Sequence, residues 1–262
     1  MDLGLKDRVA LVAASSTGLG KAVALGLARE GAKLALCART QSTLDSSAEE
    51  IRRDTGVEVL ARVVDVTAHD QVRAFVAEIA AHFGRLDICV ANAGGPPSKS
   101  FADTTVEDWH TAAELNLMST VYLAKETLPL MQQRHWGRFI AITSVTVKQP
   151  LDGLILSNAI RTGVLGLTKS LANEYGPYNV LVNNVCPGFT ATARLNELAG
   201  NLASKGGVSP ADIEKRWASQ APLGRIGQPE ELANLVVFLA SERASYITGE
   251  SIAVDGGLVK GL

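Results

Sequence analysis

Residues 8–20 read Arg-Val-Ala-Leu-Val-Ala-Ala-Ser-Ser-Thr-Gly-Leu-Gly. An apolar run of strand length, Arg8–Ala13, passes directly into a loop of small residues, and a helical pattern follows. Glycines at such a turn let the backbone come close to a pyrophosphate. The first turn of the helix supplies unpaired N–H groups and the positive end of its dipole. A glycine loop alone is a weak signal; its place between a buried strand and a helix is what gives it meaning. Ser15, Ser16, Thr17, Gly18, Leu19 and Gly20 are therefore candidates for holding the phosphates of a dinucleotide.

The same alternation continues outward. Strand-sized apolar runs recur at Lys33–Cys37, Glu58–Val63, Leu86–Val90, Arg138–Ile142, Val180–Val185 and Ser251–Val254. The inner runs are apolar at nearly every position, which fits strands covered on both faces of a parallel sheet. Helical stripes lie between them. One is Val72, Phe75, Val76, Ile79 and Phe83. A second is Ile160, Gly163, Val164, Leu167 and Leu171. A third is Leu232, Leu235, Val236, Leu239 and Ala240. The pattern predicts one α/β domain over residues 1–262: a Rossmann-type, doubly wound, seven-stranded parallel sheet with helices on both faces. The least regular stretch is Ala191–Ser209, rich in Ala, Asn, Gly and Ser. It reads as a mobile insertion over a pocket, a substrate lid spanning about 191–217.

Composition narrows the partners. The formal net charge is −2 and no run of like charge stands out, so nothing points to nucleic acid or an anionic membrane. Cys37, Cys89 and Cys186 sit in apolar runs without paired spacing, which suits buried thiols in a reducing compartment. The N-terminus lacks a signal-peptide pattern, and no window reaches about 18 uninterrupted apolar residues. A cytoplasmic location and a small-molecule substrate are the expectations. His69, His82, His110 and His135 lack metal-ligand spacing, so no metal site is expected. Trp109, Trp136 and Trp217 read as packing residues.

The residues after the second strand bear on cofactor choice. A fold that prefers NAD places Asp or Glu there for the ribose 2′-hydroxyl. This chain has Arg39 and Thr40. A guanidinium suits a 2′-phosphate, which favours NADP(H) over NAD(H).

At this point the chain resembles the short-chain dehydrogenase/reductase family along essentially its whole length. The residues that carry the resemblance are Gly18-Leu19-Gly20, Asp65-Val66, Asn92-Ala93-Gly94, Asn116, Ser144, Asn183 and Pro187-Gly188. Downstream, Pro222-Leu223-Gly224-Arg225, Tyr246-Ile247-Thr248-Gly249 and Asp255-Gly256-Gly257 are similar to bacterial 3-oxoacyl carrier-protein reductases. The resemblance implies that Asp65 and Val66 contact adenine and that Asn92, Ala93 and Gly94 line the adenine ribose. It implies that Pro187, Gly188, Thr190 and Thr192 hold the nicotinamide end. It also implies a homo-oligomer, tetramer or dimer, built through the long helices around 103–133 and 154–174.

Two departures from the family pattern are visible. The glycine loop opens with Ala13-Ala14 where Thr-Gly is usual, and alanine is strained if that position needs a positive φ. The larger departure is in the catalytic tetrad. Asn116 and Ser144 match, but the tyrosine position, 13 residues after Ser144, is Ser157, and the lysine position is Arg161. The four tyrosines, Tyr122, Tyr175, Tyr178 and Tyr246, all lie elsewhere. An alkyl hydroxyl is a far poorer acid than a phenol, and proton transfer by a positioned group is worth roughly 10²–10⁴-fold. Arg161, one turn from Ser157, can bind ribose hydroxyls and place charge near an oxyanion, but it cannot shuttle a proton. Lys148, in the loop after Ser144, is an alternative acid. The sequence leaves two readings open: an NADP(H)-dependent carbonyl or alcohol oxidoreductase with an atypical proton route, or a non-catalytic NADP(H)-binding protein with regulatory or assembly duties.

Overall fold

Strands with both faces covered must be apolar throughout, and the central four are buried at every position: β1 (Val9–Ala13), β4 (Ile88–Ala91), β5 (Gly137–Ile142) and β6 (Val180–Pro187). The computed structural model describes residues 2–261. Its remaining strands are β2 (Lys33–Ala38), β3 (Val59–Val63) and β7 (Ser251–Val254). All seven run parallel in the order β3-β2-β1-β4-β5-β6-β7. β3 lies at an edge, and its last two residues are exposed. The chain leaves β1 toward β2 and later returns to β4 on the other side of β1. That reversal parts the connections and opens a crevice beyond the C-terminal strand ends.

The helices are α1 (Gly18–Arg29), α2 (Gln41–Thr55), α3 (His69–Phe83), α4 (Val106–Ala113), α5 (Ser119–Gln133), α6 (Ile155–Tyr175), α7 (Ala193–Gly206), α8 (Pro210–Gln220) and α9 (Pro229–Ala240). One face of the sheet is covered by α1, α2 and α9 through Leu27, Leu44, Ile51 and Val236. The other is covered by α3, α5 and α6 through Val72, Ile79, Leu128, Met131 and Val164. Among the described residues, no helix is long and apolar enough to cross a membrane, and no group of three His, Cys, Asp or Glu could hold a metal ion.

Three expectations are corrected. The stretch Ala191–Ser209 is not irregular: it forms most of α7 and the cap of α8. Leu195, Leu198, Ala199, Leu202 and Ala203 make a helical stripe that packs on Ile213 and Trp217, and the small polar residues between them hid it. Thr192 caps α7 through Leu195 N, and Ser209 closes a reciprocal cap with Asp212 on α8. The long helix around 103–133 is interrupted. A π-helical turn, Glu114–Met118, separates α4 from α5 and carries Asn116. On α6 the buried face is Leu156, Ser157, Arg161, Val164, Thr168 and Ala172, whereas Gly163 is exposed. The stripe is rotated toward its polar residues because those residues enter the crevice.

The opposite, N-terminal rim of the sheet is fastened by Asp87, which is fully buried. Its carboxylate accepts from Val9 N at 2.9 Å and from Arg85 Nε and Nη2 at 2.7 and 2.6 Å. Breaking such a buried pair strands charge without a partner. Asp87→Ala is expected to destabilise the fold by about 3–5 kcal/mol, lowering Tm by roughly 6–15 °C in a thermal melt.

Candidate functional site

The crevice widens into a cavity of about 310 Å³ lined by the segments that follow β1, β4, β5 and β6, and by α7. Its phosphate end is built by the first loop. Thr17, the N-cap of α1, makes no side-chain cap, and the first turn holds no acidic residue. The leading amides of a 12-residue helix are thus left for an anion. Thr17, Gly18 and Leu19 line the cavity. Gly20 is required by close approach: a Cβ there would lie 2.3 Å from the Ala14 carbonyl oxygen. Ala14 itself has φ +48°, the strained conformation its missing glycine foretold.

The other residues of the loop hold it in place. Ser15 is fully buried; its Oγ donates to Cys37 O at 3.3 Å, and its carbonyl accepts from Ser47 Oγ at 3.0 Å. It therefore fastens the loop to β2 and α2 and is not presented to the cavity. Ser16 is half-buried and also lies off the lining. Arg39 and Thr40 are exposed immediately beyond β2. Asp65, beyond β3, accepts from Thr67 N at 3.0 Å and Thr67 Oγ1 at 2.8 Å, and Val66 beside it is buried. These four flank the crevice at neighbouring strand ends without lining the cavity.

At the cavity's centre, Asn92, Ala93, Gly94, Pro187, Gly188, Thr190 and Thr192 form the wall. Asn92 Nδ2 donates to Ala13 O at 3.3 Å, tying β4 to β1. Ser144 lines the cavity, and its Oγ accepts from Thr146 N at 3.2 Å. Asn116 lies behind this wall. Its Nδ2 donates to Gly94 O at 2.7 Å, while its buried Oδ1 has no partner among the described residues.

The two substituted positions are both buried and both line the cavity. Ser157 Oγ shares a 3.1 Å hydrogen bond with Thr146 Oγ1. Arg161 Nη1 donates to Ile142 O at 3.3 Å and Thr143 O at 3.1 Å, and Nη2 donates to Gly94 O at 3.1 Å. These bonds use three of a guanidinium's five N–H groups. Burial, aided by the nearby Arg194 charge, lowers the Arg161 pKa to about 10, so it stays cationic at neutral pH. Lys148 is exposed and not among the lining residues. Thr146 and Arg194 were not singled out from sequence. Arg194 lay in the stretch read as irregular, and the only signal was a lone cation two residues after Thr192.

The residues present fit a nicotinamide dinucleotide. The uncapped α1 terminus and the Gly20 approach suit a pyrophosphate, and the arrangement defines a dinucleotide-binding α/β protein. Residues 13–259 match the family model described as enoyl-(acyl carrier protein) reductase. The chain belongs to the short-chain dehydrogenase/reductase family of oxidoreductases. It is 35% identical over 258 residues to the 3-oxoacyl-acyl-carrier-protein reductase of Aquifex aeolicus, spanning 98% of this chain and 100% of that protein. It is 30% identical over 259 residues to the NADPH-dependent reductase BacG of Bacillus subtilis, spanning 98% and 100%. The structure of L-sorbose reductase from Gluconobacter frateurii, complexed with NADPH and L-sorbose, superposes with a TM-score of 0.95 at 36% identity, with 100% of both chains covered.

The strain at Ala14 can be tested. Ala14→Gly relieves a left-handed alanine costing about 1–2 kcal/mol and gives back part of that as unfolded-chain entropy. The net expectation is a Tm higher by roughly 1–3 °C in differential scanning calorimetry.

Proposed function

We propose that this protein is an NADP(H)-dependent oxidoreductase acting on a carbonyl or alcohol, of the 3-oxoacyl-reductase type, with an atypical acid site. The observation that carries the proposal is convergence. The anion-ready α1 terminus, Ser144 and a permanently charged Arg161 all open on one cavity beside Asn92–Gly94 and Pro187–Gly188. The NADPH-bound sorbose reductase and the NADPH-dependent relative support NADP(H) as cofactor, as does exposed Arg39 beyond β2. Thr40, Asp65 and Val66 would complete the adenosine end, and Thr190 and Thr192 the nicotinamide end.

When bound, the reduced nicotinamide supplies hydride. The chain's own residues do the rest. Ser144 Oγ orients the substrate oxygen. Arg161, whose bonds to three carbonyls fix its plane, holds positive charge where negative charge develops. Preorganised donors of this kind are worth several kcal/mol in a water-poor site. Ser157 does not replace the missing phenol: its hydroxyl is short and already engaged with Thr146. The proton comes from water, and Asn116 Oδ1, buried and unpaired, is a place to hold one. Residues 191–217 act as the lid, with α7 bearing Leu195 and Leu198 on the cavity.

A second reading is favoured by one observation. The groups at the tyrosine and lysine positions are both tied into the protein, Ser157 to Thr146 and Arg161 to backbone carbonyls. A chain in this state could bind NADP(H) in a regulatory or assembly role without turnover. Either way a homo-oligomer is proposed, and the exposed Phe101 and Val106 beside α4 suit a contact between copies.

Two measurements test the proposal. NADPH fluorescence titration is expected to show tighter binding than NADH, and Arg39→Ala to reduce that preference by about tenfold, the loss of one charge-assisted phosphate contact. Nicotinamide absorbance with a panel of ketones and acyl thioesters is expected to show turnover above the buffer control. Tight binding with no turnover would select the second reading. Ser157→Tyr combined with Arg161→Lys restores a titratable acid and a shorter cation. It is expected to raise carbonyl reduction by roughly tenfold or more. A folded double variant with no gain would count against carbonyl chemistry in this cavity.

A further inference from the structure

We propose that the cavity takes an anionic substrate, with a carboxylate or comparable acidic group seated between Arg161 and Arg194. The inference deepens the reading of this cavity as a hydride-transfer site and rests on it.

Its basis is an imbalance of charge. The only ionisable side chains lining the cavity are Arg161 and Arg194; no Asp or Glu is among them. Much of the remaining wall is apolar, including Val145, Leu151, Leu154, Phe189, Leu195 and Leu198. Such a wall screens charge poorly, so each guanidinium feels the other. Arg161 is buried, and the bonds that hold it run to neutral carbonyls, not to a carboxylate. Buried cations are normally paired. Two of them facing one cavity without an anion form a site whose missing member is negatively charged.

Arg194 is built for this position. It sits in the first turn of α7, two residues after the Thr192 cap. Its Nη2 donates to Pro96 O at 2.6 Å, and a Cβ on Gly95 would lie 3.4 Å from its Nε. The guanidinium is thus held against the loop after β4, away from the Gly18 turn where phosphates belong. Its Nη1 reaches Glu197 at 3.0 Å, but that partner is a half-exposed neighbour on the same helix. A pair of this type is weak and readily exchanged for a ligand anion. On its outer side Arg194 also borders a second, polar cavity with Ser98, Glu197, Asn201 and Ser204, so it divides the inner pocket from solvent. An acid entering past the lid meets Arg194 first and Arg161 beyond it.

The probes are levulinate and benzoylformate, each compared with its methyl ester. They are titrated by calorimetry into the protein with and without saturating NADP⁺. The acids are expected to bind roughly tenfold or more tightly than the esters, the worth of one charge-assisted contact. Arg194→Leu is expected to erase that preference, and Arg194→Lys, which keeps the charge, to retain part of it. Equal binding of acid and ester by the native protein overturns the proposal. So does an Arg194→Leu variant that loses NADPH affinity while keeping the acid preference, which would assign Arg194 to the cofactor. Failure of NADPH itself to bind overturns the cofactor reading instead. The acid-to-ester ratio measured without cofactor then judges the charge site separately.

Discussion

The arrangement of the crevice depends on one buried cation. Arg161 donates to the last carbonyls of β5 and to Gly94 in the loop after β4, and Asn116 donates to the same Gly94 oxygen. Two adjacent strand ends and the π-helical turn are therefore joined through a single guanidinium. A lysine ammonium is compact and could not span these acceptors with a planar fork. The replacement at this position exchanges a mobile point charge for a rigid brace. The same exchange removes any group able to release a proton here, because a guanidinium with a pKa near 10 remains charged at neutral pH.

That brace gives the site a different balance from one built on a phenol and an amine. Charge is fixed, geometry is fixed, and the hydroxyls of Ser157 and Thr146 are spent on each other. Chemistry that needs stabilisation of an oxyanion is well served by this wall. Chemistry that needs fast protonation depends on water. The apolar inner face of α7 limits that water, so the helix that shelters hydride transfer also governs how a proton can arrive.

Much of the fold was legible because it rests on periodicity. Continuous apolar runs mark the inner strands, and the crevice follows from strand order and the glycine turn. β6 extends two residues beyond its predicted end because Cys186 and Pro187 continue its pairing with β7. The site was legible where residue type alone carries meaning, as at Gly20, Asn92 and Ser144. It was not legible where a neighbour decides the role. Ser15 looks like a phosphate ligand until Cys37 and Ser47 claim it. Lys148 looks like an acid until the loop turns it outward. Arg194 looked unremarkable within a stretch of small residues, because the stripe that makes α7 a helix is visible mainly once Trp217 is there to receive it.

The wide turn at Glu114–Met118 has a consequence for how this region tolerates change in chain length. It accommodates an extra residue inside what would otherwise be one unbroken rod. An ordinary α-helix rotates by about 100° per residue. Deleting any one residue between 114 and 118 would regularise the backbone and turn everything after it by about that angle. Leu123, Ala124, Leu128 and Met131 would swing off the sheet, and Asn116 would leave Gly94. The bulge therefore sets the phase between two halves of the molecule, and insertions or deletions there must come in whole-turn combinations to preserve both.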